Sequence, residues 1–314
     1  MPSDAAVTPA VATPAGAPDL SAGVAFVDGK YVPILEARIS LLDWGFLKSD
    51  VTYDVVHVWK GLFFRLDDHL DRFERSVAGL RMTLPYSRVE IADILNECVR
   101  RARLHDAYVQ VACTRGIPPS GVRDPRQCCN RFYAFAIPFV WIASEAQRAR
   151  GVHLVVSSVQ RIPPGAVDPT IKNFHWGDFT RALFEAYERG GELPVLLGAD
   201  GNVTEGPGYN IFAVHAGRVT TPERGVLLGI TRRTVIELCD ELNVTAEVRP
   251  LSAPALQAAA EVFLSSTAGG IMPVAKIDGR PVGDGAPGLV TTRLHDLYWS
   301  KKEAGWHGTP VFYD

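Results

Sequence analysis

Asp168-Pro169-Thr170-Ile171-Lys172-Asn173-Phe174 and, 33 residues on from its lysine, Glu205 in Thr204-Glu205-Gly206-Pro207-Gly208-Tyr209-Asn210 decide how this chain reads. An aldehyde cofactor needs one amine to hold it as an imine. A pyridine ring used as an electron sink needs one carboxylate to keep its nitrogen protonated. Lys172 and Glu205 supply those groups, so the ordered pair reads as the centre of a pyridoxal phosphate site. Taken singly, each is bland: a lysine near a proline is ordinarily a solvated loop residue, and so is a glutamate in a Gly/Pro-rich turn. Their joint context carries the reading.

Other stretches extend the constellation. Gly229-Ile230-Thr231-Arg232-Arg233 leads into an apolar spacing that suits a helix, placing the N–H groups of Ile230 and Thr231 where a phosphate is favoured. Ser265-Ser266-Thr267-Ala268-Gly269-Gly270 follows the apolar run Val262-Phe263-Leu264, so small and hydroxyl residues fall at a strand end where backbone can close on a phosphate. Phe64-Arg65-Leu66-Asp67-Asp68-His69-Leu70-Asp71-Arg72 runs from a strand into a helix and offers Arg72 as a fixed cation.

With these motifs in this order, together with Trp176-Gly177-Asp178, the chain resembles the fold-type IV pyridoxal phosphate aminotransferases over roughly residues 24–300. Within that group it is most similar to the (R)-selective amine transaminases. The resemblance implies a two-domain α+β fold and a homodimer with pyridoxal 5'-phosphate as cofactor. It makes Lys172 and Glu205 the catalytic residues, and Arg72, Ile230, Thr231, Ser266 and Thr267 the phosphate holders. Tyr53, Val55, Tyr108 and Trp176 match pocket-lining positions of the amine transaminases. Arg123, in the loop 116–125, stands where those enzymes carry a mobile arginine for an acceptor's carboxylate. Lys48 replaces a usual histidine, and the loop before Arg123 is about two residues longer than the common form; both bear on acceptor preference.

The reaction implied is transfer of an amino group from a primary amine, (R)-configured, to a keto acid such as pyruvate by a ping-pong route. Branched-chain and D-amino acid transaminases share this cofactor site, although the Thr114-Arg115-Gly116 region lacks the arginine-histidine arrangement of the D-amino acid group. An aminodeoxychorismate lyase is a third reading on the same fold, and cofactor binding without turnover a fourth. The last does not call for Glu205.

Composition agrees with a small-molecule enzyme. The chain has 314 residues, 47% of them hydrophobic, with 32 Lys plus Arg against 35 Asp plus Glu and no long run of one sign, so neither nucleic acid nor an anionic membrane is the expected partner. Five cysteines, odd in number and without a C-x-x-C pair, favour reduced thiols and a cytoplasmic location. The eight histidines lack metal spacing, and no metal is expected. No apolar run approaches the ~20 residues of a membrane span. Residues 1–20, interrupted by four prolines and without a basic start, read as a flexible tail rather than a signal peptide.

Turn chemistry and periodicity divide the rest into an N-terminal α+β domain at 21–145 and a C-terminal domain at 146–314 carrying the lysine, with the linker in 143–151. A hairpin is expected around Asp28-Gly29, strands over 51–59 and 62–64, and a helix through Leu70, Phe73 and Val77. Ser87 and Glu90 spell a capping box for a second helix. Beyond the linker come a helix over 178–189, strands, the Thr231 helix and a terminal helix near 289–302.

Overall fold

The computed structural model describes residues 19–313. The expected tail over 1–20 lies outside them apart from Asp19 and Leu20, where the Asp19 carboxylate accepts from Ser21 N and opens a short 3-10 turn.

The first half contains β1 (Val24–Val27), β2 (Lys30–Pro33), α1 (Trp44–Lys48), β3 (Val51–Trp59), β4 (Leu62–Phe64), α2 (Leu66–Gly79), α3 (Arg88–Ala102), β5 (Ala107–Ile117) and β6 (Cys129–Pro138). The second contains α4 (Glu145–Arg150), β7 (Val152–Gln160), α5 (Gly177–Glu188), β8 (Leu193–Leu197), β9 (Asn210–His215), β10 (Arg218–Thr221) and α6 (Ile230–Glu241). It continues through β11 (Ala246–Val248), α7 (Ala253–Gln257), β12 (Glu261–Ser266), β13 (Gly270–Ile277), β14 (Arg280–Pro281), α8 (Leu289–Glu303) and β15 (Gly308–Pro310). One sheet runs β15-β4-β3-β5-β6-β1-β2, antiparallel throughout. The other runs β11-β10-β9-β12-β13-β7-β8, with β14 on β13, and mixes parallel with antiparallel pairs. The fold is α+β, as expected.

β3 explains how the first sheet serves the second. Its β-branched and aromatic residues suit a strand, and eight of its nine residues are buried because both faces are covered. Val56 and Val58 pack into the core beneath α2 and α3 with Phe63, Leu70, Phe73, Ile91 and Leu95. The alternate residues Tyr53 and Val55 face a cavity. α3 starts at the expected capping box, Ser87 Oγ accepting from Glu90 N and Glu90 Oε2 accepting from Ser87 N at 2.7 Å. A further aromatic cluster joins the halves, packing Phe64 of β4 against Tyr298 of α8 and, with Phe212 and Phe263, against the second sheet.

Three features depart from the sequence reading. The stretch 143–151 is not an open linker but holds α4, capped by Ser144 and Gln147. α1 interrupts the expected run of strands: Asp43 caps it by accepting from Gly45 N at 2.8 Å, and the same buried carboxylate accepts from Thr114 and Tyr133 hydroxyls. β15, assigned to the C-terminal unit by position, pairs with β4 and so closes the edge of the first sheet.

Gly116 sits at φ +80° where the β5–β6 pairing shifts register, and a Cβ there would lie 1.7 Å from the Cys129 carbonyl oxygen. Backbone cannot yield as a side-chain tip does, so Gly116→Ala is expected to cost ~3 kcal/mol or more in urea unfolding. An unchanged midpoint would show that the hairpin relaxes freely.

Candidate active site

Segments far apart in sequence converge on a cavity of about 560 Å³ lined from the first sheet by Tyr53, Val55 and Tyr108 and from the second half by Lys172, Glu205 and Thr267. Lys172 comes from an irregular loop that no strand of its own half holds. Its carbonyl accepts from Thr52 Oγ1 at 2.7 Å and from Tyr53 N at 3.1 Å, both on β3. Its N–H reaches Ser76 Oγ of α2 at 3.4 Å. Within the loop, Asp168 Oδ1 accepts from Thr170 N, and Asn173 bridges Ile171 O and His175 N. The lysine's backbone is therefore fixed while Nζ projects into the cavity, 4.3 Å from the Tyr53 ring centre. Burial, and next the Arg72 guanidinium, lower its pKa to about 8 against the pull of Asp54 and Glu205.

Arg72, on α2, is clamped by Asp54: Nε donates to Oδ2 at 2.7 Å and Nη2 to Oδ1 at 2.8 Å, while Nη1 reaches Leu228 O at 3.3 Å. That third contact brings it to the start of α6. His69 Nδ1 lies 2.8 Å from Asp54 Oδ1. Burial works to raise the Asp54 pKa, but Arg72 and His69 hold it well below the carboxylate range; burial keeps His69 below its usual value.

The N-cap of α6 is Gly229, which has no side chain to cap the helix. The N–H groups of Ile230 and Thr231 thus face the cavity end without a side-chain cap. Asn210, last residue of the Glu205 motif, braces this turn: Nδ2 donates to Leu227 O at 2.9 Å, and a Cβ on Gly229 would lie 2.2 Å from its Oδ1. Ser266 and Thr267 line the cavity as expected, but the Ser266 hydroxyl is engaged, donating to Gly208 O at 2.8 Å and accepting from Ala268 N. Ser265 also lines it, its buried hydroxyl without a partner among the described residues.

Glu205, 5% exposed, receives Leu227 N on Oε2 at 2.9 Å and Arg161 Nη2 on Oε1 at 3.2 Å. Burial raises its pKa; Arg161, the Leu227 N–H and Lys172 oppose the rise. Arg161 is a residue the sequence reading missed. It sits just beyond β7 and also donates to Asp178 Oδ2 at 2.7 Å. A single arginine at a strand end carries no pattern; the one available hint was Asp178, quoted in the Trp176 motif without a partner.

Of the expected substrate residues, Tyr53, Val55, Tyr108 and Trp176 line the cavity. Lys48 and Arg123 do not. Lys48 is exposed at the end of α1 with Nζ 3.0 Å from the Trp44 ring centre, and Arg123 is exposed on the loop between β5 and β6.

An amine, a buried carboxylate and an uncapped helix start beside a clamped arginine, all lining one cavity, fit a phosphorylated pyridine aldehyde. Residues 52–277 match the family described as amino-transferase class IV, and the chain belongs to it. Pyridoxal phosphate is its cofactor. The branched-chain-amino-acid aminotransferase of Escherichia coli (strain K12) is 31% identical over 242 residues, 75% of this chain and 77% of that protein. The D-alanine aminotransferase of Bacillus licheniformis is 27% identical over 269 residues, 85% of this chain and 93% of its own. Among solved structures, the branched-chain amino acid aminotransferase from Thermobaculum terrenum in its PLP form superposes with a TM-score of 0.82 at 27% identity, covering 92% of this chain and 98% of the other.

Two outcomes test the site. With neutral Lys172 as the nucleophile, capture of pyridoxal phosphate by apoprotein, followed by absorbance, would accelerate from pH 7 to 9 with a midpoint near 8, and Lys172→Ala would abolish borohydride-fixable attachment. A pH-independent rate would mean that another step or another amine controls capture. Arg72→Ala should weaken cofactor binding by ~100-fold in fluorescence titration, since charge-assisted phosphate contacts contribute roughly 1.5–3 kcal/mol each. Parent-like affinity would remove Arg72 from the phosphate end.

Proposed function

We propose that this aminotransferase moves the amino group of an (R)-configured primary amine to a keto acid such as pyruvate in two half-reactions, with Lys172 and Glu205 as its catalytic residues. The observation that supports an amine rather than an amino acid donor is the state of the cavity's arginines. Arg72 is committed to Asp54, and Arg161 to Asp178 and Glu205. Away from these pairs the wall includes Tyr53, Val55, Tyr108, Phe135, Ile137 and Trp176, alongside the uncharged Gln110 and Asn173 and with His175. Such a wall suits an apolar substituent and offers a donor's carboxylate no free guanidinium.

Bound in this cavity, pyridoxal phosphate supplies an aldehyde that takes up the amino group and a ring that accepts the electron pair left when the substrate carbon loses its proton. Lys172, held through its backbone on β3, would carry that proton between carbons. A pKa near 8 leaves a useful fraction neutral at physiological pH. Glu205 would partner the pyridine nitrogen and favour its protonated form. Arg72, Ile230 and Thr231 at the α6 start, Ser266 and Thr267 would hold the phosphate. Arg123, on its exposed loop, is the proposed reader of the acceptor's carboxylate when the loop turns inward, with Lys48, exposed at the end of α1, as a second candidate cation.

Branched-chain or D-amino acid transamination is the second reading, favoured by the names of the relatives. We further propose a homodimer: Leu35, Ile39, Leu41, Leu42, Phe46 and Leu47 are all exposed in one short stretch, more apolar surface than a monomer ordinarily leaves to water.

Single-turnover reactions of the holoenzyme with (R)-1-phenylethylamine, its (S) enantiomer, D-alanine and L-leucine separate the readings. The (R)-amine should react ~100-fold faster than the (S) and faster than either amino acid. A faster rate with L-leucine would make the enzyme a branched-chain transaminase, and one with D-alanine a D-amino acid transaminase.

A further inference from the structure

We propose that Arg161 is a positioning residue that holds Glu205 ionised and aimed at the pyridine nitrogen, and that Asp178 is the anchor that orients Arg161. The inference rests on the Glu205 role proposed above and extends it to two residues that act through that carboxylate.

The geometry is a buried carboxylate-guanidinium-carboxylate row. Asp178 Oδ2 accepts from Arg161 Nη1 at 2.7 Å and from Ile162 N at 2.9 Å. Asp178 Oδ1 accepts from Phe179 N at 2.8 Å. Asp178 is thereby held at the start of α5 by two backbone donors, and helix and strand end become one rigid frame. Arg161 turns its second amino group to Glu205 Oε1 at 3.2 Å, and its guanidinium lies 4.1 Å from the Phe179 ring centre. All three side chains are no more than 7% exposed. The aromatic face keeps water from the guanidinium, so its charge is directed to the two carboxylates.

A glutamate buried this deeply would take up a proton if unpaired, and a neutral Glu205 gives the ring nitrogen no anion. The other cations near it act only at a distance. Arg232 is turned away, donating to Pro222 O and Thr221 Oγ1, and Lys172 belongs to the reacting end of the cavity. Arg161 is the guanidinium in hydrogen-bond contact with the carboxylate. With Leu227 N holding Oε2, the two donors leave the carboxylate one direction, toward the cavity.

The test reads the ring nitrogen directly. Holoenzyme is reconstituted with pyridoxal phosphate labelled with nitrogen-15 in the ring, and its NMR shift is followed from pH 6 to 9 in the parent, Arg161→Gln, Arg161→Lys and Glu205→Gln. The parent should show a pyridinium shift across the range. Arg161→Gln should lower the midpoint of ring-nitrogen protonation by about one pH unit or more and slow the proton-transfer half-reaction ~10-fold or more, with KM little changed. Arg161→Lys, which keeps the charge and one of the two contacts, should fall between. If the glutamine variant does not fold, the lysine variant carries the test. A parent-like shift and profile in the folded Arg161 variants, with only a lower unfolding midpoint, would overturn the proposal and leave Arg161 as a structural bridge. If Glu205→Gln itself leaves the shift unchanged, the Glu205 assignment fails first, which separates the two failures.

Discussion

The carbonyl of Lys172 accepts two hydrogen bonds from β3, and through them the reactive amine of one half of the molecule is located by a strand of the other. A loop between Arg161 and Trp176 without regular structure would otherwise sample many conformations, each carrying Nζ to a different place. Pinning the carbonyl to Thr52 and Tyr53 makes the loop an extension of the first sheet's edge. The same strand then contributes Asp54 to clamp Arg72 and Tyr53 to wall the lysine. β3 is rigid because both of its faces are buried, so the core beneath α2 and α3 and the geometry above it depend on one another.

Charge is the second constraint. The cavity wall holds Arg72, Lys172, Glu205 and Arg161, with Asp54, His69 and Asp178 buried behind them, and each would be costly to bury alone. Pairing solves this unevenly. Asp54 meets Arg72 through two parallel contacts and is held ionised, whereas Glu205 meets Arg161 through one longer contact and remains raised in pKa. Asp54 is a structural counter-ion whose state should not vary. Glu205 is held less tightly, which would suit the proposed partner of a bound ring. Lys172 is likewise displaced toward neutrality by burial, the condition a nucleophile needs.

Much of the fold was legible because the local signals agreed with the tertiary outcome. β3 and β4 fall where the β-branched runs and the Lys60-Gly61 turn put them, and α3 begins at its capping box. The Lys172, Glu205 and Gly229 motifs were legible because short backbone geometries impose residue types there. What escaped has a common physical cause. α1 and α4 span little more than one helical turn each, too short for a period to show, and β15 finds its place by pairing with a strand more than 200 residues earlier. Arg161 was silent because one arginine at a strand end takes its meaning only from partners 17 and 44 residues away. Lys48 and Arg123, assigned by likeness of position, sit on exposed segments where side-chain direction is not set by any local pattern.

The separation between the fixed arginines inside and the exposed cations outside has a consequence for selectivity. A donor with a carboxylate and one without it place opposite demands on a single pocket: the first needs a cation present, the second is penalised by a cation left unpaired. An arginine such as Arg72, locked to Asp54 at 2.7 and 2.8 Å, cannot serve the first need without breaking a buried pair, which suits it instead to the proposed phosphate role. An arginine on a surface loop can serve it, because water solvates the guanidinium whenever the apolar substrate occupies the space. Under the proposed function, dual recognition would be divided between charges paired inside the fold and cations exposed on its surface. The residue to watch for acceptor preference is therefore a loop cation with no partner to give up.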